Sequence, residues 1–513
     1  MRSLRPLFAA LLIALPAGAA FAQVPLEVTT TDGPVRGEAT RNSAVQVWRG
    51  LPYAAPPVGT NRWREPQPVT PWTDVRDATQ FGARCVGRGY TGGNEQPPMS
   101  EDCLYLNVYS AAPSPEQQLP VIVWIHGGGF YTGSGGDAIY DATNLAAKGA
   151  VVVTFNYRLG TFGFFAHPDL TAESPNRSSG NYALLDMVAV LEWVYENIAA
   201  FGGDPINVTI MGESAGAQAV GTLLASPLSA GLFHRAILQS GGWMGLGINP
   251  QATLAEREAA GTEQAMEFGA ASLEQLREAS TQQVFDSFPN TGGINVDGYL
   301  LAQDTSLTFA EGTQHPVDVL GGSNENEGLF FGPGLQTAQE LRDYAENRFG
   351  PLAPRFLELY PAGDDAEANR SYLRAYTNEL AWQMRQLGKY QSVRGLGTWI
   401  YHFTRVPPGQ EERGATHVSE LAYVFNQHEQ NPAWTDGDRA LADTMAAYWV
   451  NFARSTNPNG QGLPAWPPFR GNTPGNVLEL GDMAAPESDM VPPADVLDFF
   501  DAAYAQHLES LRR

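Results

Sequence analysis

The stretch that most constrains the fold is residues 212–216, where Ser214 lies between two glycines in the pattern G-x-S-x-G. A β-branched run, 207–210, precedes it, and small residues, 217–221, follow it. A strand that turns sharply into a helix with serine at its tip is a nucleophile elbow. Because the strand end and the first helical turn pack together around a strained serine, we expect no room for a Cβ at either glycine. A flexible Gly/Ser turn is the alternative, and the strand-then-helix context favours the elbow.

The first 22 residues have the pattern of a secretory leader. Two arginines precede the apolar stretch 7–15, and Ala20, Phe21 and Ala22 form an A-x-A cleavage site. That stretch is too short to span a bilayer, and no later stretch has the roughly 18 uninterrupted apolar residues that a transmembrane helix needs. The sequence therefore predicts a signal peptide, 1–22, cut after Ala22, with export to the periplasm or the medium and no stable membrane insertion.

The charge balance is strongly acidic. The chain has 55 Asp and Glu against 31 Lys and Arg, a formal net charge of −24. Nucleic acids and anionic membranes are bound through clustered Lys and Arg, so neither is an expected partner. Acidity that favours solubility accounts for most of this charge.

Apolar, β-branched blocks alternate with helix-like stretches in the first half of the chain. Near-continuous hydrophobicity is typical of strands that are buried on both faces. Alternating strands and helices predict an α/β fold, with an open, mostly parallel, twisted sheet and helices on both faces. The blocks are 104–109, 121–125 and 151–155, and the helical stretches are 142–149 and 184–200.

The second half of the chain has a different amino-acid composition. Residues 251–287 and 337–388 are polar, helix-prone and poor in β-branched residues, which predicts helices that cover the sheet. Strand-like stretches at 317–321 and 398–403 interrupt or follow them. No repeat or low-complexity linker divides the chain, so we expect one domain, 23–513.

Serine is a poor nucleophile unless an imidazole accepts its proton and an acid orients that imidazole. In α/β-hydrolase order, the acid and then the histidine follow the serine, each at the end of a strand. Glu327 comes after the strand at 317–321, and His417 lies in a loop after the strand at 398–403. The order predicts Ser214 as nucleophile, His417 as base and Glu327 as acid.

A glycine run at 126–130 follows another apolar strand. Bare backbone N–H groups there can reach the oxygen that becomes negative when Ser214 attacks an acyl carbonyl, with the N–H of Ala215 as the remaining donor. Glycine-rich loops also bind phosphates, but no Lys-Ser/Thr pair follows this one, which disfavours a phosphate loop. His126, at the start of the run, is interpreted as structural or as a wall of the active-site entrance.

Several separate stretches carry a family resemblance. The chain resembles the type-B carboxylesterase (cholinesterase-like) family of α/β hydrolases almost from end to end. The resemblance implies the α/β-hydrolase fold and the same three catalytic residues, Ser214, His417 and Glu327. The matching stretches are 50–54, 61–63, 100–108, 126–130, 201–205, 212–216, 239–241 and 448–453.

The resemblance also implies residues that assist the three. Gly128, Gly129 and Ala215 correspond to an oxyanion hole. Glu213 and Ser240 correspond to residues that support the catalytic side chains from behind. Neither a metal nor an organic cofactor is implied.

Cys85 and Cys103 are the only cysteines. An even count in an exported chain suggests one disulfide, with two buried thiols as the alternative, and the resemblance implies the bridge. Asn326 and Met187 depart from the usual family residues, Asp and Gln, without removing a catalytic atom. Choline-hydrolysing relatives place a tryptophan in the loop that the cysteines close, whereas Tyr90 is the only aromatic residue in this one. Acetylcholine is therefore not the expected substrate.

These observations predict an exported serine carboxylesterase that hydrolyses small-molecule esters through an acyl-enzyme. Two alternative functions use the same fold. A non-catalytic adhesion protein of this family usually lacks the serine, which is present here. A serine amidase or peptidase would use the same residues as the esterase.

Overall fold

The computed structural model describes most of the chain, in six ranges. The predicted signal peptide, 1–22, and Tyr90 lie outside them. Within them, no helix combines the length and the apolar composition needed to cross a membrane. The described ranges are 24–88, 97–288, 293–332, 334–335, 337–428 and 431–513.

Strands and helices alternate along the described chain, as the sequence predicted. The strands are β1 Glu27–Thr29, β2 Pro34–Arg36, β3 Glu38–Ala39, β4 Gln46–Pro52, β5 Arg76–Asp77, β6 Arg84–Cys85, β7 Met99–Ser100, β8 Tyr105–Ser110, β9 Leu119–Ile125, β10 Val151–Phe155, β11 Gly203–Glu213, β12 Arg235–Gln239, β13 Ala252–Thr253, β14 Asn295–Val296, β15 Asp318–Asn324, β16 Thr398–Phe403, β17 Leu478–Leu480 and β18 Ala484–Pro486. The helices are α1 Thr143–Ala146, α2 Gly160–Phe164, α3 Pro168–Glu173, α4 Tyr182–Asn197, α5 Ala215–Ala225, α6 Leu254–Phe268, α7 Leu273–Glu278, α8 Thr281–Ser287, α9 Thr305–Glu311, α10 Ala338–Phe349, α11 Ala353–Leu359, α12 Asp365–Ser392, α13 Leu421–Val424, α14 Asp436–Ser455 and α15 Ala494–Leu511.

The central sheet has eleven strands within the described ranges, in the order β18-β17-β16-β15-β12-β11-β9-β10-β8-β4-β3. Every pairing from β17 through β10 is parallel, and the strands outside this block pair antiparallel at both edges. The prediction of a mostly parallel sheet is therefore confirmed for its middle. The block needs helical crossovers between its strands, because parallel neighbours cannot be joined by a tight turn.

The sheet is buried on both faces because its central strands are apolar on both. In β9, Val121, Val123 and Ile125 belong to one hydrophobic cluster, while Ile122 and Trp124 belong to another. Helices α4, α5, α12 and α15 contribute to the first cluster, and α1, α13 and α14 contribute to the second. Alternate side chains of one strand thus anchor helices on opposite sides, as expected from the two-residue period of a strand.

The predicted helices in 251–287 are α6, α7 and α8. They pack through a third, smaller cluster that includes Ala265, Leu276 and Val284 and is completed by Trp63 and Phe165. These helices therefore pack on a core of their own, separate from the two clusters that contain the strands of the central sheet.

Cys85 and Cys103 form a disulfide, with their sulfur atoms 2.01 Å apart. The predicted bridge is confirmed, and the alternative of two free thiols is wrong. The bond joins the end of β6 to the segment just before β8. It closes the segment of chain between β6 and β8.

The carboxyl ends of neighbouring strands bring the predicted site residues to one side of the sheet. β9, β11, β12 and β15 are neighbours, and all of them run parallel. Their carboxyl ends lie next to the glycine loop, Ser214, Ser240 and Glu327 respectively. In open α/β sheets this is the edge where ligands bind.

Candidate active site

Ser214 lies at the junction of β11 and α5 in a strained conformation, with φ 57° and ψ −124°. A Cβ added to Gly212 would lie 2.4 Å from the carbonyl carbon of Gly216, and one added to Gly216 would lie 2.1 Å from the carbonyl oxygen of Ile125. Both distances are far inside van der Waals contact. The elbow and its two obligatory glycines are therefore present as predicted.

Glu327 and His417 are joined by a hydrogen bond of 2.6 Å between Oε2 and Nδ1. Both side chains are buried. The other carboxylate oxygen of Glu327 accepts the backbone N–H of Asn324 at 2.7 Å. Because an ionised carboxylate can only accept, Nδ1 donates and the neutral imidazole keeps Nε2 as its proton acceptor.

His417 Nε2 faces Glu213, the residue before Ser214. It lies 3.1 Å from Glu213 Oε1 but is not aligned for a hydrogen bond with that oxygen or with any other described residue. The hydrogen bond between His417 and Ser214 is thus not formed, although the imidazole lies beside the elbow. Hydrogen bonds of this kind are often long in unliganded enzymes and shorten in the substrate complex.

The carboxylates around His417 shift its titration. Burial alone would lower the pKa of His417, but the charges of Glu213 and then Glu327 outweigh burial and raise the pKa above its ordinary value. Burial raises the pKa of Glu213 because the ionised form loses its water, and the imidazolium opposes that rise. The two carboxylates therefore stabilise the imidazolium form of His417.

The loop that carries His417 is held by the end of β15. Asn326 Oδ1 accepts the N–H of Ala415 at 3.0 Å, and the N–H of Asn326 donates to the carbonyl of Ala415 at 2.9 Å. Asn324 Nδ2 donates to the carbonyl of Thr416 at 2.8 Å. The departure at Asn326 keeps an acceptor oxygen, so it preserves the bond that positions the histidine loop.

Sequence reasoning missed a third acid, Glu420, which lies three residues after His417 and is buried. Asn324 Nδ2 donates to its Oε2 at 2.6 Å, and Gln239 Nε2 donates to its Oε1 at 3.0 Å. Trp449 Nε1 donates to Gln239 Oε1 at 3.0 Å. Burial raises the pKa of Glu420. An acid directly before the apolar run 421–425 was the signal in the sequence that could have identified it.

The glycine loop packs against the elbow. A Cβ at Gly127 would lie 3.0 Å from the Cβ of Ser214. Gly128 and Gly129 adopt φ values of 103° and 64°, and their N–H groups make no backbone hydrogen bond with described residues. Ala215 is the first residue of α5, where an N–H has no partner within the helix. The three predicted oxyanion donors are free to bind an acceptor.

His126 is buried and supports this loop. Its ring stacks on Tyr157 at 4.2 Å between centroids, and Nδ1 lies 2.8 Å from the carbonyl of Gly127. Burial lowers the pKa of His126 to about 4. The ring is therefore neutral and structural, and it does not form a wall of an entrance.

Ser240 lies at the end of β12 with φ 51°. It is buried, and its hydroxyl makes no hydrogen bond with any described residue. Its N–H donates to the carbonyl of Gly322 at 2.8 Å. The structure does not connect its side chain to Ser214, Glu327 or His417, so a supporting role for Ser240 stays a prediction.

A cavity of about 350 Å³ opens at the elbow. Ser214, Ala215 and Gly129 lie in its wall. Among the described residues, no group of three His, Cys, Asp or Glu side chains is arranged to hold a metal ion. The other lining residues include Gln218, Met244, Leu246, Asn249, Gln251, Arg257 and Ile294.

Two phenylalanines stand beside the histidine on the short helix that begins at Glu327. The rings of Phe330 and Phe331 lie 5.3 Å and 4.9 Å from that of His417. Their exposed fractions are 42% and 45%. They therefore do not pack in the core, and they form an apolar surface next to the imidazole.

Comparison with solved structures agrees with this architecture. The chain is similar to a PNB esterase, with a TM-score of 0.81, 32% identity and coverage of 92% of this chain and 99% of that one. A thermophilic PNB esterase gives a TM-score of 0.80 at the same identity and coverage. The fold is the α/β-hydrolase fold.

Sequence comparison gives the same family. The fumonisin B1 esterase of Sphingopyxis macrogoltabida is 39% identical, over 91% of this chain and 88% of the relative. The para-nitrobenzyl esterase of Bacillus subtilis (strain 168) is 37% identical, over 87% and 93%. A model of the carboxylesterase family matches residues 24–490. The chain therefore belongs to the carboxylesterase family and is a carboxylic ester hydrolase.

Proposed function

We propose that this chain is an exported serine carboxylesterase in which Ser214, His417 and Glu327 act as a catalytic triad. The observation that carries the proposal is the hydrogen bond of 2.6 Å between Glu327 and His417 Nδ1. It leaves Nε2 as the acceptor nitrogen, 3.1 Å from Oε1 of Glu213, the residue before Ser214.

The reaction runs in two halves. Ser214 Oγ attacks the ester carbonyl while His417 Nε2 takes its proton, and the N–H groups of Gly128, Gly129 and Ala215 bind the oxyanion. The intermediate expels the alcohol, which receives the proton from His417, and an acyl-enzyme remains. Water then attacks the acyl carbon with His417 again as base, which releases the acid and restores Ser214.

Glu213 has a distinct part in this cycle. Its Oε1 lies 3.1 Å from His417 Nε2, where it stabilises the imidazolium that forms when Ser214 loses its proton. The same contact makes the resting imidazole harder to deprotonate. Glu213 thus stabilises the charged intermediate at the cost of activity at low pH.

A covalent label tests the nucleophile. Diethyl 4-nitrophenyl phosphate should add one diethylphosphoryl group to Ser214 and abolish ester hydrolysis, as read by peptide mass spectrometry. The Ser214→Ala protein should remain unlabelled. A label on a different residue, with loss of activity, would reject the assignment of Ser214.

Export is the second part of the proposal. The leader pattern at 1–22 and the disulfide Cys85–Cys103 support an oxidising destination, since disulfides persist there. The remaining residues, 23–513, would then form one domain. Mass spectrometry of non-reduced protein from the native host should give a chain that starts at Gln23 and contains the bridge, and a chain that still carries Met1 would contradict export by cleavage.

A further inference from the structure

The catalytic cavity contains an isolated positive charge. Among the described residues that line it, Arg257 on α6 is the only charged one, and no Asp or Glu lines the cavity. The whole chain has a net charge of −24. The cavity that Ser214 lines therefore carries a charge opposite in sign to the net charge of the chain.

Arg257 has no anionic partner in the described structure. Its Nε is buried without a hydrogen bond. Two arginines that are fully buried are paired with acids: Arg62 with Glu101 at 2.6 Å and Arg158 with Asp186 at 2.6 Å. Arg257 is half-buried and, unlike those two, makes no salt bridge with a described residue, so its guanidinium is available to an anion from outside the chain.

A second donor on the same cavity also lacks an acceptor. Gln251 Nε2 is buried and makes no hydrogen bond with a described residue. The rest of Gln251 is fixed, because its Oε1 accepts the N–H of Thr305 at 2.9 Å and its N–H donates to Asp304 Oδ2 at 2.8 Å. The amide nitrogen cannot simply exchange places with the oxygen without losing the bond to Thr305.

We propose that Arg257, assisted by Gln251, binds a carboxylate of the substrate, so that the preferred substrates are esters that carry a second, ionised carboxyl group. This inference rests on the proposed function, because it assumes that the ester is cleaved at Ser214. A guanidinium matches a carboxylate with two parallel N–H···O bonds. Neutral esters are accepted as well, but they leave both donors unpaired.

Matched pairs of esters test the preference on either side of the ester bond. The first pair is monomethyl glutarate and its primary amide, methyl 5-amino-5-oxopentanoate. The second is 4-acetoxyphenylacetate and 4-acetoxyphenylacetamide, where a methylene separates the charge from the leaving group. In at least one pair the carboxylate should have a kcat/KM about tenfold higher, which corresponds to about 1.4 kcal/mol. The ratio should fall when sodium chloride is raised.

Three variants test whether Arg257 causes the preference for the carboxylate ester. Arg257→Gln should bring that ratio close to one, while Arg257→Lys should retain part of it because the charge remains. Arg439→Gln is the matched control: it removes the same charge from a half-buried position on α14, where Arg439 lies 3.7 Å from Asp436. Its ratio should equal that of the wild type. Circular dichroism and thermal melting confirm that each variant is folded.

The outcomes separate this inference from the proposed function. Equal kcat/KM within both pairs, or a ratio that survives Arg257→Gln, would overturn the carboxylate site while Ser214-dependent hydrolysis stands. Binding is also measured without catalysis, by titrating monomethyl glutarate and its amide into Ser214→Ala in a calorimeter. Tighter binding of the carboxylate there, lost in Ser214→Ala/Arg257→Gln, supports the site even if the nucleophile were a different residue.

Discussion

The two sides of the active site differ in whether their hydrogen-bonding groups are linked to one another. On the histidine side, Glu327, Asn324, Glu420 and Gln239 are buried and linked by hydrogen bonds of 2.6 to 3.0 Å. On the cavity side, the N–H groups of the glycine loop and the guanidinium of Arg257 have no partner among the described residues. The first arrangement fixes a geometry before substrate arrives. The second leaves donors whose partners only a substrate can supply.

This contrast predicts where mutations affect rate and where they affect selectivity. Changes on the histidine side alter the chemistry for every ester because they act on the proton transfer that all esters share. Changes on the cavity side alter the ratio between esters.

Removal of the nucleophile or the base should have the greatest effect. Ser214→Ala or His417→Ala should each lower kcat by about 10⁴-fold or more, and the double variant should lose little beyond that, because the two act as one unit. The measurement is initial-rate hydrolysis of a neutral aryl ester. Near-normal rates in Ser214→Ala would reject the triad, and additive losses in the double variant would show that the residues work independently.

Glu327→Gln should cost less, with a loss about 10- to 100-fold smaller than that of Ser214→Ala, since nucleophile and base remain. The amide no longer balances the imidazolium, and its NH₂ group competes with the tautomer that keeps Nε2 unprotonated. The same ester assay, with thermal melting as a check on folding, measures it. A loss as large as that of Ser214→Ala would show that Glu327 holds the local structure rather than only orienting His417.

The sequence predicted the local elements of this site and left out the hydrogen-bond network that joins distant segments of the chain. The elbow could be predicted because its glycines, strand and helix are adjacent in the chain. The network behind it could not, because it joins Gln239 to Glu420 and Trp449, which are 181 and 210 residues away. Sequence order predicted that an acid and a histidine follow Ser214, but not that Nε2 faces Glu213.

Arg257 shows the same limit from the cavity side. It lies on α6, a polar helix that the sequence analysis assigned only to the cover. Helical periodicity predicts which face is apolar, but the direction of one long side chain depends on how the helix docks. The unpaired guanidinium in the cavity wall therefore became visible only in the folded chain.

Glu213→Gln should change the pH dependence more than the maximal rate. His417 must be neutral to accept the proton of Ser214, and the Glu213 carboxylate raises its pKa. Removing that charge lowers the pKa, so the acid limb of kcat/KM should move to lower pH. Glu327 and Glu420 also raise the pKa of His417, and Glu420 acts less strongly than either.

The control for this shift is Glu420→Gln, which keeps the size of the side chain and should move the acid limb in the same direction by a smaller amount. Profiles of kcat/KM for a neutral ester over the stable pH range measure both. An unchanged limb in Glu213→Gln, or one that moves to higher pH, would contradict the electrostatic coupling across the 3.1 Å contact.

The smallest expected effect concerns a quaternary ammonium. Such a group is held by desolvated aromatic faces, worth about 2 kcal/mol or more when buried. Trp243 cannot supply one, because it is buried and stacks on Phe309 at 4.9 Å. Phe330 and Phe331 are exposed to water, and Arg257 in the cavity wall repels a cation.

Butyrylcholine should therefore be no better a substrate than its uncharged isostere, 3,3-dimethylbutyl butyrate. A kcat/KM about tenfold higher for the choline ester would show that the two phenylalanines form a cation site that outweighs Arg257, and Phe330→Leu and Phe331→Leu would then identify which ring builds it.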